Sequence, residues 1–101
     1  MVTREAAIAE LLDCGAVDWV SLQEVVWYGT LGETSPHSKA LVADVLRQLF
    51  ELGLMIPGDL GHCGFEDWEP PKSDWLDRAL AELERLNWAP MGDGFWFRLA
   101  H

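Results

Sequence analysis

The stretch that most restricts this chain is residues 36–60, PHSKALVADVLRQLFELGLMIPGDL. Leu41, Val42, Val45, Leu46, Leu49 and Phe50 recur at helical spacing, so a long helix here has one apolar face. Gly53 supplies the left-handed residue that stops such a helix, and Leu54-Met55-Ile56 then reads as a short buried strand. A helix over 36–52 therefore runs almost directly into a strand over 54–57. The remaining segments have to pack around that junction.

Other start and stop signals frame it. Thr3 is an N-cap for a helix over 4–14, whose stripe Ile8, Leu11 and Leu12 ends near Gly15. Val17, Trp19 and Val20 form a short extended piece. Ser21-Leu22-Gln23-Glu24 then matches a capping box, with Val20 and Val25 placed as its hydrophobic staple. The second helix starts at Leu22, buries Val25 and Val26 with Trp27 at the margin, and gives way between Gly29 and Gly32. Ser35-Pro36 opens the third. Pro57-Gly58-Asp59 and Gly61 to Gly64 interrupt regular structure, and an acidic segment runs from Phe65 to Pro71. Ser73 caps a fourth helix ending near Trp88, with the stripe Trp75, Leu76, Ala79, Leu80, Leu83 and Leu86 and an Asp74–Arg78 pair. Pro90 and Gly92-Asp93-Gly94 make a turn. Phe95, Phe97 and Leu99 then alternate with Trp96 and Arg98 as a terminal strand.

This order predicts an α+β, winged-helix-like domain spanning 1–101. Three N-terminal helices come first, a fourth is inserted in an expanded wing, and a small antiparallel sheet pairs 95–100 with 54–57. At 101 residues, with no internal repeat and no linker, the chain makes one domain with one core.

Seventeen acids against seven bases give a net charge of −10, which repels phosphate backbones and anionic lipid and favours a cationic partner. Acidity also serves solubility alone. On the third helix Lys39 and Arg47 are offset by Asp44 and Glu51. Between Asp59 and Glu84 eight acids face only Lys72 and Arg78. Direct nucleic-acid binding is accordingly disfavoured. The N-terminus MVTREAAIAE lacks the apolar run of a signal sequence, and no stretch reaches the roughly 20 apolar residues of a membrane span. Cys14 and Cys63 read as free thiols, so a cytoplasmic location is expected.

Nothing in the chain carries a catalytic signature. His62-Cys63 with Asp59 and Cys14 fits no zinc spacing, and His37 and His101 have no partner at an informative distance. Gly58, Gly61 and Gly64 are not followed by the Lys-Ser/Thr of a phosphate loop, and no nucleophile motif is present. No metal, no cofactor and no enzymatic activity are expected. Most aromatics belong to the core by position, Trp75 and Trp88 beside the fourth-helix stripe and Phe95 and Phe97 on one strand face. Trp68, set among Glu66, Asp67 and Glu69, is either an exposed anchor ringed by carboxylates or a cover over the fourth helix and strand pair. Trp96 is the second candidate for exposure.

LRQLFELGL over Leu46–Leu54, continuing through Met55-Ile56-Pro57-Gly58-Asp59-Leu60, resembles the helix-to-wing passage of winged-helix proteins. GLMIPGDL, GFEDW, a helix carrying Trp75 and Leu83 to Trp88, and GDGFWFRL together resemble a group of small acidic bacterial winged-helix-like proteins, some of which resemble toxin-immunity partners. The resemblance covers about residues 40–100 and rests on structural glycines and aromatics, so it implies fold more than function. It implies an immunity protein that binds and neutralises a cationic, nuclease-like toxin domain. Asp59, Glu66, Asp67, Glu69 and Asp74 would supply carboxylates and Trp68 the apolar anchor. The alternative is a winged-helix regulator or adaptor, acting as a homodimer or with a basic partner.

Overall fold

The computed structural model describes residues 3–62, 64–91 and 94–100. In chain order the elements are α1 (Arg4–Gly15), β1 (Val20–Ser21), α2 (Leu22–Thr30), α3 (Pro36–Glu51), β2 (Met55–Gly61), β3 (Gly64–Asp67), a 3-10 turn (Lys72–Asp74), α4 (Trp75–Arg85) and β4 (Trp96–Leu99). The architecture is α+β, and the strands form one antiparallel sheet in the order β1-β4-β2-β3. Cys63, Gly92, Asp93 and His101, which enter the sequence expectations, lie outside the described residues.

Local chemistry accounts for the helix boundaries. Thr3 Oγ1 accepts from the Ala6 N–H at 3.1 Å. At α2 the capping box closes in both directions: Glu24 N donates to Ser21 Oγ at 3.2 Å, and Ser21 N donates to Glu24 Oε2 at 2.9 Å. Val20 and Val25, on either side of that cap, are both buried. At α3 the same device is built from two serines, with Ser38 N donating to Ser35 Oγ and Ser35 N to Ser38 Oγ. The end of α3 satisfies its carbonyls through a left-handed Gly53, with Gly53 N bonded to Phe50 O and Leu54 N to Leu49 O. The chain therefore turns directly into β2. α4 ends in the same way on Asn87, with Trp88 N bonded to Leu83 O at 2.8 Å.

In the sheet, Met55 to Gly58 pair with Leu99 to Trp96, as the alternation in the sequence predicts, and β1 adds Val20 opposite Phe97. Pro57 sits within a strand paired on both sides, where a missing N–H costs a ladder bond. The cost falls at the very end of β3: Trp68 N still donates to Pro57 O at 2.9 Å, and only the return bond is absent.

Several expectations are corrected. Gly58 to Gly61 continue β2 and Gly64 opens β3 rather than breaking regular structure, because glycines there permit close packing. A Cβ at Gly58 would collide with the Phe65 ring and the Glu66 carbonyl, so the hairpin closes only with glycine there. Ser73 does not cap α4; the segment enters through the 3-10 turn, and α4 ends at Arg85. Arg78 pairs with Asp59 at 3.6 Å, across elements, instead of with Asp74 one turn away. Of the expected extended piece 17–20, only Val20 joins the sheet.

The core lies between the helices and one sheet face. Leu11, Leu22, Leu46, Leu49 and Leu83 meet Val20, Met55 and Phe97 with almost no exposed surface. A chain of rings crosses it: Trp75 meets Phe50 edge-on at 5.8 Å, Phe50 stacks on Phe97 at 6.2 Å, Phe97 meets Phe95 at 5.0 Å, and Phe95 meets Trp68 at 4.4 Å. It ties α4, α3 and β4 to the residue that follows β3.

Candidate functional site

The carboxylates singled out by sequence lie on the β2–β3 hairpin and at the start of α4. Strand parity sorts them between two faces. Asp59 opposes Glu66 on the face shared with buried Met55 and Pro57, while Gly58 opposes Asp67 and Leu60 opposes Phe65 on the other. Directly opposed like charges destabilise a sheet pair, and here a cation from α4 offsets them. The Arg78 guanidinium lies 3.8 Å from the centroid of the Trp68 ring and 3.6 Å from Asp59 Oδ2. Trp68 Nε1 donates to the same oxygen at 3.2 Å. Glu66 is exposed beside this triad. The backbone carbonyl of Glu69 accepts from Trp75 Nε1 at 3.0 Å, which ties Glu69 to the start of α4, next to exposed Asp74.

Two of the six expected contact residues are engaged elsewhere. Asp67 points to the opposite face and takes a two-pronged grip from Arg98, Nε to Oδ1 at 2.8 Å and a terminal nitrogen to Oδ2 at 2.7 Å. Those bonds hold its carboxyl below the usual carboxylate range against a smaller opposing effect of burial, and they raise Arg98. Trp68 is 5% exposed and packs on Phe95. Of its two readings the structure has the covering one, so in this conformation it offers no apolar anchor. Trp96 is half-buried. Asp59, Glu66, Glu69 and Asp74 remain exposed along the hairpin and the α4 start.

The cations are distributed very differently. All five arginines hold a carboxylate: Arg4 binds Glu5 and Asp44, Arg47 binds Asp44, Arg78 binds Asp59, Arg85 binds Glu82 and Arg98 binds Asp67. Lys39 sits over the Trp88 ring at 5.3 Å. Among the described residues Glu66, Glu69, Asp74 and Asp77 have no cation within salt-bridge distance, as is also so of exposed Glu10, Asp13, Asp18, Glu33 and Glu51 elsewhere on the surface. The outer side of α3 forms a shallow, mainly apolar depression of about 500 Å³ with Ala40, Leu41, Ala43 and Leu76, in which Arg47 is already neutralised.

Sequence reasoning missed the aromatics that are accessible. Trp27, placed at the margin of the buried face of α2, is 49% exposed, and Leu31 follows it one turn later. Trp19 is 41% exposed and meets Phe65 at 5.6 Å, with exposed Leu60 opposite Phe65 in the hairpin. The available signal was parity, since Trp19 neighbours Val20, which is wholly buried. His62 is exposed, and no cluster of three or more His, Cys, Asp or Glu able to hold a metal occurs among the described residues. Cys14 is a half-buried free thiol, 3.7 Å from Tyr28 Oη. No helix among these residues is long and apolar enough to cross a membrane. No family model, curated protein or solved structure matches the chain.

Proposed function

We propose that this chain is a protein–protein interaction module that docks a basic protein surface on the carboxylates of its β2–β3 hairpin and α4 start. The observation that carries this reading is the asymmetry of charge satisfaction. Every arginine is consumed internally, whereas Glu66, Glu69 and Asp74 are exposed with no cation of the described residues beside them. An unneutralised acidic edge on a molecule of charge −10 attracts cationic partners over long range and speeds their capture.

The element order α1-β1-α2-α3-β2-β4 with the sheet order β1-β4-β2 supports a winged-helix-like topology, in which β3 and α4 are inserted between the two wing strands. The helix that reads DNA in such folds corresponds to α3. Its outer side here offers alanines, Arg47 held by Asp44, and Lys39 held by Trp88, which argues against a nucleic-acid role. The concrete form of the proposal is an immunity protein that neutralises a cationic toxin domain, occupying a basic cleft without chemistry of its own. A regulator or adaptor acting as a dimer is the competing form, and Trp27 on α2 with Leu31 just beyond its end is an exposed apolar patch that would serve it.

The test compares wild type with a Glu66→Gln, Glu69→Gln, Asp74→Asn triple variant in association kinetics with a purified basic partner across ionic strength. The variant is expected to associate about tenfold more slowly at low salt, with the difference shrinking as salt screens it. Equal rates for the two proteins at all ionic strengths refute the proposal.

A further inference from the structure

β3 is the last strand of the sheet, and register identifies which of its backbone groups face outward. Because Trp68 N donates to Pro57 O, alternation makes Asp59–Glu66 and Gly61–Gly64 the hydrogen-bonded pairs of the hairpin. The N–H and C=O of Phe65 and of Asp67 therefore point away from β2, toward the open edge. Side chains at this edge divide between two faces. Glu66 and Asp59 lie on one; Phe65, in contact with Trp19 and opposite exposed Leu60, lies on the other beside Asp67, whose charge Arg98 neutralises.

We infer that β3 accepts an extended segment of a basic partner as an antiparallel fifth strand, with alternating cationic and apolar residues. The inference rests on the basic-partner reading above and adds the mode of recognition. A cationic residue of the incoming strand faces Glu66, and an apolar one lies beside Phe65 and Trp19. Sidedness follows from the register. Residues directly opposed across an antiparallel ladder share a face, so the residue exchanging bonds with Phe65 is apolar, and the one exchanging bonds with Asp67 lies on the same face over the Asp67–Arg98 pair, whose charges cancel. A second copy of this chain is a poor occupant: pairing β3 with β3 brings the unpaired Glu66 of one molecule toward that of another, and each molecule carries a charge of −10. Acidic residues on an edge suppress self-pairing while leaving it open to a strand of opposite charge.

The probe is a blocked hexapeptide, Lys-Val-Lys-Val-Lys-Val, titrated into the ¹⁵N-labelled full chain, beside two analogues N-methylated either at the valines or at the lysines. Binding of the parent is expected to shift the Phe65 and Asp67 amide resonances and slow their exchange with solvent. Methylation at valine should weaken binding about tenfold or more, the worth of one or two hydrogen bonds, and methylation at lysine should leave it within about threefold. Equal binding by both analogues, weakened alike by the Glu66→Gln, Glu69→Gln, Asp74→Asn substitutions, overturns strand addition while leaving the basic-partner reading intact. Parent binding that is unchanged by those substitutions overturns both. Shifts centred on α2, or no binding of the parent, overturn the strand proposal.

Discussion

Arg78 stacks its guanidinium 3.8 Å from the centre of the Trp68 ring while reaching to 3.6 Å from Asp59 Oδ2. One α4 side chain thereby clamps the hairpin: its guanidinium carbon sits over the indole and its charge meets the carboxylate to which that indole donates. Trp68 is nine-tenths or more inside, so truncating it empties the end of the aromatic chain. Trp68→Ala is expected to cost about 3–5 kcal/mol. Arg78→Ala, at a half-exposed site, should cost only about 1 kcal/mol. Urea unfolding followed by far-ultraviolet circular dichroism measures both. Because Arg78→Ala also frees Asp59 beside Glu66, the account expects it to bind basic partners more tightly than wild type while being less stable.

Gly29 on α2 sets helix propensity against packing. Alanine is worth about 1 kcal/mol more than glycine inside a helix. A Cβ at this position would lie 2.5 Å from Val42 Cγ2, on a wholly buried β-branched side chain with little freedom to turn aside. Overpacking of this kind costs about 1–3 kcal/mol, so it outweighs the propensity gain. Gly29→Ala is expected to be destabilising by about 1 kcal/mol, read as a melting temperature lower by about 4–8 °C in scanning calorimetry.

The Asp67–Arg98 pair makes a pH-dependent contribution. Hydrogen bonds from Arg98 depress the Asp67 carboxyl in the folded state, so its stabilisation is complete above the unfolded value near 3.9 and is lost as pH falls through the lower folded value. Asp67 is 45% exposed, which limits the pair to under about 1 kcal/mol after solvent screening. Asp67→Asn should therefore be slightly less stable than wild type near neutral pH, with the gap closing below about pH 4. Urea midpoints for the two proteins over that range check the sign.

Local signals located most of the frame. Ser21 with Glu24, Ser35 with Pro36, and Gly53 ahead of Leu54 each specify a helix boundary through a few neighbouring atoms, and the structure has all three where they were read. β3 was not legible, because the reason for glycine at position 58 is the Phe65 ring packed against it across the hairpin. With that strand missed, parity was unavailable, and Asp67 was grouped with Asp59 and Glu66 although it faces the other way. Arg78 was given a partner one helical turn away for the same reason: its actual partner, Asp59, is brought to it only by the fold. The acidity of the site was legible in full, and the difference between free and consumed carboxylates was not.

The most direct measurement uses wild type and the Glu66→Gln, Glu69→Gln, Asp74→Asn variant as parallel baits in lysate of the source cells. Elution is by rising salt and identification by mass spectrometry, after urea unfolding has shown both baits equally stable. The account predicts one basic protein retained by wild type, released as ionic strength rises and missing from the variant. Identical retention by the two baits, or recovery only of further copies of this chain or of nucleic acid, would contradict it.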